Sequence, residues 1–511
     1  MTRHPWKLPV IAGAILACAY YPIGLLLPNF VAFVPLLAWI DGNLDRPWRV
    51  WRNAGLAFGL TLHLLILNWM LSMLKVSFLG AFAYLGLALV FAVGIMLAVM
   101  AMAWLRKTTR WPWALLLPAC WLTLEWIQAQ GDIRMTAQHL AQSLGTFPFL
   151  AQFADLAGPY GVGLVLLLSS VLLYEAWRAG ARARRLRALG AWAAVLAAVL
   201  AYDGWAWTHP PVATRTVRVS FIQPNVGLFE KMDAANDDAQ TALLTRLTRQ
   251  AASERPDIVV WPETARPKPI YHFPGKPATY AMPEVQSLAR ELGITIVTGA
   301  EYVVPLGGNR FDAWNAVHVV HPDGTLDPAW SAKVVLVPFV EAVPFEPILG
   351  PLLSGRGGWM RWLAGGFKRG RPGTTLPAAD TTIGVTVCYE ELFFDLHRAL
   401  RNAGADLQFV VTNDAWFGKS YFQAYQANTV RLRAIENRTS FVRVANSGIS
   451  MFVDPLGRDA DRTELDVEAV HTRDVPIVTQ RSVYDRIGNV VAWAAIGVLA
   501  AAAIVARSRK G

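Results

Sequence analysis

The apolar residues of this chain crowd into long runs before residue 210 and one run after residue 488, and that distribution constrains the fold more than any other feature. An apolar stretch of about 20 residues spans a bilayer as a helix. Candidate spans are Leu8–Leu27, Phe30–Ile40, Ala54–Leu74, Phe78–Leu105, Trp111–Ile127, Tyr160–Trp177, Leu186–Trp205 and Asn489–Ala506. The second is short, and Pro22, Pro28 and Pro35 break this region into a tight helical hairpin. The whole chain is 54% hydrophobic and 16% charged, against about 45–50% and about 25% in a soluble domain. Between the runs lie about 270 residues of ordinary soluble composition, enough for one domain with its own core.

The charges set the expected topology. Lys and Arg in short loops prefer the cytoplasmic side. Arg3 and Lys7 precede the first run; Arg46, Arg49 and Arg52 follow the second; Arg106, Lys107 and Arg110 follow the fourth. Arg178, Arg182, Arg184, Arg185 and Arg187 follow the sixth, and Arg507, Arg509 and Lys510 end the chain. Eight spans place every cluster on one side, and merging the first two breaks the pattern. The net charge of +10 therefore reads as topology. No basic-aromatic stripe or nucleic-acid motif accompanies it. The segment between spans seven and eight then faces the periplasm. Ile15-Leu16-Ala17-Cys18 loosely resembles a lipoprotein processing site, but the apolar run continues through Leu27, so no cleavage is expected. Cys18 and Cys120 lie inside apolar runs, which leaves Cys388 as the cysteine of the soluble-looking region.

From about Thr214 to Val478, short apolar runs alternate with helical patterns. Strands are expected at Val217–Ile222, Ile258–Trp261, Ile294–Thr298, Ala316–Val320, Thr382–Val387, Leu407–Thr412, Ser440–Val444 and Gly448–Val453, with helices at Gln240–Ser253, Pro283–Leu292 and Gln423–Asn437. This is an α/β layout, in which reactive groups sit just beyond strand carboxyl ends. Glu263, Lys333 and Cys388 occupy that kind of position or a nearby loop. A free thiol has a pKa of about 8.5, so a nucleophilic cysteine needs a base or a cation. A glutamate can take the proton, and a lysine can steady the thiolate and a tetrahedral oxyanion. Glu, Lys and Cys together make an acyl-transfer set without histidine. Singly, each has a plainer structural role: core cysteine, turn glutamate, solvated lysine.

The ordered segments Trp261-Pro262-Glu263, Lys333 through Glu341, Val387-Cys388-Tyr389-Glu390 and Asn413-Asp414-Ala415-Trp416-Phe417-Gly418 resemble the motifs of the nitrilase superfamily. With seven spans before and one after, nearly the full length resembles the apolipoprotein N-acyltransferase family. Ala434-Ile435-Glu436-Asn437-Arg438, Asn446-Ser447-Gly448 and Asp454-Pro455-Leu456-Gly457-Arg458 also fit. The resemblance implies a membrane protein of about eight transmembrane helices plus an αββα nitrilase-like sandwich. Helices one to seven would fill residues 1–210, the periplasmic catalytic domain 211–480, and helix eight with a cytoplasmic tail 487–511. It implies Glu263 as general base, Lys333 as charge stabiliser and Cys388 as nucleophile. Glu341, Tyr389 and Glu390 would support the site, and Trp416 would lie near the lipid-binding mouth. The implied reaction moves an acyl chain from a phospholipid, through a thioester on Cys388, to the α-amino group of a diacylglyceryl-cysteine lipoprotein. The implied setting is the bacterial inner membrane, with no metal or diffusible cofactor and a monomer expected.

Some stretches depart from the family pattern. Met135-Thr136-Ala137-Gln138-His139 stands where a Phe-Pro-Trp element is common, the region of Met232 lacks a tryptophan, and Tyr425-Gln426-Ala427-Asn428 lacks a histidine. His139 reads as a membrane-interface residue. Trp359, Met360, Trp362, Leu363 and Phe367, set among glycines and basic residues at 355–369, are expected to form a mobile arm dipping into the bilayer, the alternative being a loop packed on the domain. Two other functions share these features. A membrane-anchored amidase acting on a small amide or nitrile would use the same three residues with water as acceptor. A transporter or scaffold would call for ionisable groups inside the spans.

Overall fold

A computed structural model describes residues 6–75, 78–273, 282–308, 310–353 and 366–509. Most of the arm expected at 355–369, including Trp359, Met360, Trp362 and Leu363, lies outside the described residues. Its last residues, Phe367 to Arg369, are tied to both the α/β domain and the helical half. Phe367 N donates to the Glu341 carbonyl at 3.0 Å, and Arg369 pairs with Asp132 at 2.8 Å.

Among the described residues, four helices are long and apolar enough to cross a membrane: Gly80–Thr109, Ala154–Arg178, Arg182–Thr208 and Val490–Ser508. Trp48–Ile66 with Asn68–Lys75 makes a fifth if its 49° bend lies within one span. Lys7–Ala17 and Pro28–Asp41 are shorter apolar helices, and Trp113–Gln128 completes the bundle. Helix Trp48–Ile66 lies directly on Gly80–Thr109. A Cβ on Gly55 would stand 2.8 Å from Met96 Cα, and one on Gly59 2.7 Å from Ala92 Cα. Small residues four apart let two backbones approach this closely.

One end of the bundle is held by Asp41. It accepts from Arg106 (3.1 Å), Trp113 (3.1 Å), Tyr174 (2.7 Å) and Arg178 (3.3 Å). Arg509 donates to the carbonyls of Thr108 and Thr109 at the same end. Helix Arg182–Thr208 departs from there and, at about 1.5 Å per residue, climbs roughly 40 Å before the α/β domain begins. The domain therefore stands at the end opposite the arginines.

The domain is two sheets face to face. The first runs in the order Ala469–Ile477, Arg215–Gln223, Ile258–Val260, Thr295–Gly307, Arg310–Val320, Leu326–Ala332, with Ile270–Tyr271 beside Thr295–Gly307. The second runs Asp459–Ala460, Met451–Val453, Ser440–Ala445, Leu407–Thr412, Thr381–Val387, Thr375–Ala378. In each sheet three central strands are parallel. Leu407–Thr412 and Ser440–Ala445 are buried at every residue, as expected for parallel strands covered on both faces. Phe221 meets Phe452 across the sandwich, ring centroids 5.0 Å apart. Helices Asp237–Ala252 and Pro283–Leu292 seal the outer face of the first sheet through Leu244, Leu247, Val285 and Leu288. Phe394–Asn402 and Phe422–Asn437 cover the second. The result is an αββα sandwich.

Candidate active site

Glu263, Lys333 and Cys388 come from three strand ends and meet in one buried cluster. Glu263 follows Ile258–Val260 through Trp261 and Pro262. Trp261 stays in the ladder, its N–H on the Val297 carbonyl at 2.8 Å, and Pro262 then turns the chain. The turn lies against Gly299, where a Cβ would stand 2.5 Å from Thr264 N and 2.7 Å from the Pro262 carbonyl. One carboxylate oxygen accepts from Asn315 Nδ2 at 2.7 Å and the other from Asn413 N at 2.8 Å. Asn315 belongs to the first sheet and Asn413 ends a strand of the second, so both sheets hold the carboxylate.

Lys333 follows the edge strand Leu326–Ala332, and its N–H continues that pairing onto the Asn315 carbonyl at 2.9 Å. Its side chain is 1% exposed. Nζ lies 2.8 Å from Glu341 Oε1 and 3.6 Å from Glu263 Oε1. Burial alone would lower its pKa. Glu341, then Glu263, outweigh burial and hold it well above the ordinary lysine value, so the ammonium stays charged.

Cys388 ends strand Thr381–Val387 and opens the short turn Cys388–Leu392. Its φ is +55°, a left-handed conformation that costs a non-glycine residue about 1–3 kcal/mol and is kept where the surroundings impose it. Burial, reinforced by the Glu263 charge, pushes its thiol well above the usual range, while Lys333 and a hydrogen bond with Thr412 pull the other way. The resting sulfur is therefore protonated, and attack requires a base to take that proton.

Glu390 locks two of these positions together. One oxygen accepts from Val334 N (2.6 Å) and Val335 N (2.8 Å), directly after Lys333; the other accepts from Val387 N (2.8 Å), directly before Cys388. Burial raises its pKa to about 7 against the pull of these N–H groups and Lys333. Glu341 turns its second oxygen onto Val337 N at 2.8 Å. Tyr389 is directed elsewhere: its hydroxyl donates to the Arg134 carbonyl at 2.6 Å. Trp416 is half-buried in the turn Asp414–Phe417, just after the strand that carries Thr412.

Several participants carried no sequence signal. Asn315 is one of several polar residues in the strand Arg310–Val320. Half-buried Lys231 donates to the Glu263 carbonyl at 3.0 Å. Arg443, fully buried, grips Glu391 with two nitrogens (2.7 and 2.9 Å) and Asp414 with a third (3.0 Å). His139, expected at a membrane interface, is instead buried, its ring against Tyr160 and Phe394.

A charged ammonium, an anchored carboxylate and a thiol held at a strand end are the residue types that nucleophilic chemistry at sulfur calls for, here on an αββα sandwich. Residues 218–484 match the carbon-nitrogen hydrolase family model. Residues 12–172 match the model of the apolipoprotein N-acyltransferase N-terminal domain. The apolipoprotein N-acyltransferase of Geobacter metallireducens is 32% identical over 99% of this chain and 96% of its own length. That of Chlorobaculum tepidum is 27% identical over 100% and 98%, and that of Allorhizobium ampelinum 31% over 98% and 95%. This chain belongs to the apolipoprotein N-acyltransferase family.

Proposed function

We propose that the chain transfers an acyl group from a phospholipid to the α-amino group of a lipoprotein's N-terminal diacylglyceryl-cysteine. The observation that carries the mechanism is the Lys333 ammonium 3.6 Å from Glu263, with both charges acting on the Cys388 thiol. Glu263 takes the thiol proton as sulfur attacks the ester carbonyl carbon. Lys333 steadies the oxyanion. Collapse breaks the ester C–O bond, and the departing lysophospholipid oxygen takes the proton from Glu263. The lipoprotein amine then attacks the thioester, Glu263 accepts its proton, and the sulfur leaves and is reprotonated. One ester and one amine become one amide and one alcohol. Glu341 and Glu390 hold Lys333 and the nucleophile's turn, Tyr389 ties that turn to the helical half, and Trp416 borders the lipid entrance.

The setting belongs to the same proposal. The chain makes eight passages of the bacterial inner membrane as a monomer, with residues 1–210 and 487–511 in the membrane part and 211–480 forming the periplasmic domain. A donor and an acceptor that are both lipid-anchored meet the site at raised effective concentration. The decisive experiment incubates the purified full chain with phospholipid vesicles and weighs the intact protein. One acyl adduct on Cys388 is expected, absent in Cys388→Ala. An adduct on another residue, or lipoprotein acylation by Cys388→Ala, would sink the mechanism. Release of free fatty acid in place of a lipoprotein amide would make the chain a hydrolase.

A further inference from the structure

We infer that the segment Arg134–Gln142, between the helices Trp113–Gln128 and Ala154–Arg178, is a positioning strap for the nucleophile's turn. The inference rests on the assignment of Cys388 as nucleophile. A short helical turn ends with carbonyls that lack partners and need donors from outside. The turn Cys388–Leu392 ends on the Leu392 carbonyl, and its donors come largely from the helical half. Thr136 Oγ1 donates to it at 2.5 Å and Gln142 Nε2 at 3.1 Å. Arg433 Nη1 adds a third contact at 3.3 Å, with its Nη2 against Gln142 Oε1 at 3.5 Å. Thr136, Gln142, Arg433 and Leu392 are all at most 3% exposed. The Tyr389 hydroxyl reaches the Arg134 carbonyl, and the Arg134 guanidinium covers the Phe393 ring at 5.6 Å.

The turn is thus gripped from two sides. Glu390 fixes its start within the α/β domain, and the strap fixes its end from the membrane half. Between them stands Cys388, at a φ that relaxes unless both ends are held. Met135-Thr136-Ala137-Gln138-His139, which departs from the family pattern, falls in this strap. Thr136 and Gln142 are positioning residues. They act on the reaction through the turn, and they couple thiol geometry to the seating of the α/β domain on the helices.

The test uses the purified full chain and two readouts of Cys388. Iodoacetamide alkylation, followed by intact mass, reports the thiol without any lipid. Thioester formation from phospholipid reports the chemical step and its KM. Misplacement by about 1 Å can cost about 10²-fold in rate, so a smaller displacement of the nucleophile is expected to cost about tenfold. Thr136→Val should slow both reactions about tenfold with an unchanged phospholipid KM, Thr136→Ser should restore them, and Thr136→Val with Gln142→Met should slow them further. Wild-type alkylation and acylation rates in Thr136→Val would overturn the strap, and so would a raised KM with unchanged kcat. If the double variant does not fold, Thr136→Val and its serine rescue decide alone. A wild-type chain that alkylates at Cys388 but takes no acyl group would refute the acyl-transfer reading and leave the strap test standing.

Discussion

Glu390 shows how one carboxylate can set the geometry of an ammonium and a thiol through their backbone neighbours. Its three backbone donors flank Lys333 and Cys388, so replacing it by glutamine turns an NH2 toward an N–H that needs an acceptor. An unpaired buried donor costs about 1–3 kcal/mol. The pH dependence has a definite sign. The unfolded chain ionises this group near the ordinary glutamate value of about 4.3, and the folded protein near about 7. The folded state therefore binds the proton more tightly. Its stabilising contribution is complete below the unfolded value and is lost as pH rises through about 7. Thermal unfolding of the detergent-purified chain should show the wild-type midpoint falling between about pH 5 and about pH 8 more steeply than that of Glu390→Gln. Parallel curves would show that Glu390 titrates elsewhere. At this scale the sequence displays Glu263 and Cys388 because each stands where an apolar run stops, and Lys333 because a motif begins with it. It hides Asn315, which looks like any strand residue until the hairpin folds it under Glu263.

The elements follow the same division. The central parallel strands are legible because both faces are buried and most of their residues are apolar or small: Leu407–Thr412 has the ends its sequence predicts, with Gln408 as its one large polar residue. Beyond the two-residue strands Ile270–Tyr271 and Asp459–Ala460, the strands with no counterpart in the sequence reading are Leu326–Ala332, Thr375–Ala378 and Ala469–Ile477, each at a sheet edge and each containing a proline: Pro328, Pro377 and Pro476. Proline cannot donate to a ladder, so its presence argues against a strand in the sequence while an edge tolerates it. Thr295–Gly307 and Arg310–Val320 extend into one long hairpin beyond the expected apolar cores, where Glu301, Pro305, Arg310, Asp312 and Asn315 interrupt the apolar pattern. Elements are also joined by charge. Arg443 on strand Ser440–Ala445 holds Asp414, after the neighbouring strand Leu407–Thr412, and Glu391, after Thr381–Val387 one strand beyond. Removing it leaves two buried carboxylates without their cation. Arg443→Ala should cost about 3–5 kcal/mol, read as a lowered thermal midpoint and reduced yield of folded protein. A midpoint within a degree or two of wild type would mean the cluster carries little of the fold.

For the whole molecule, direction matters more than helix count. Asp41 gathers Arg106 and Arg178, and Arg509 reaches the end of helix Gly80–Thr109, so the basic loops read from the sequence share one end of the bundle and the α/β domain takes the other. Among the described residues four or five helices are long and apolar enough to cross a membrane; Lys7–Ala17 and Pro28–Asp41 are shorter, and a prolyl hairpin and two full spans carry the same apolar sequence pattern. Orientation can still be tested, because lysine- and arginine-rich loops stay cytoplasmic. In a chain with Cys18, Cys120 and Cys388 replaced by alanine, single cysteines at Asp45, Arg184 and Lys419 would be challenged in intact spheroplasts with a membrane-impermeant maleimide. All three positions are exposed. Lys419→Cys, on the α/β domain, should label at once; Asp45→Cys and Arg184→Cys should label only after the membrane is opened. The opposite pattern would put the thiol cluster in the cytoplasm, away from any lipoprotein that has already crossed. Labelling of Asp45→Cys together with Lys419→Cys would place the first helical hairpin the wrong way round while leaving the later helices as drawn.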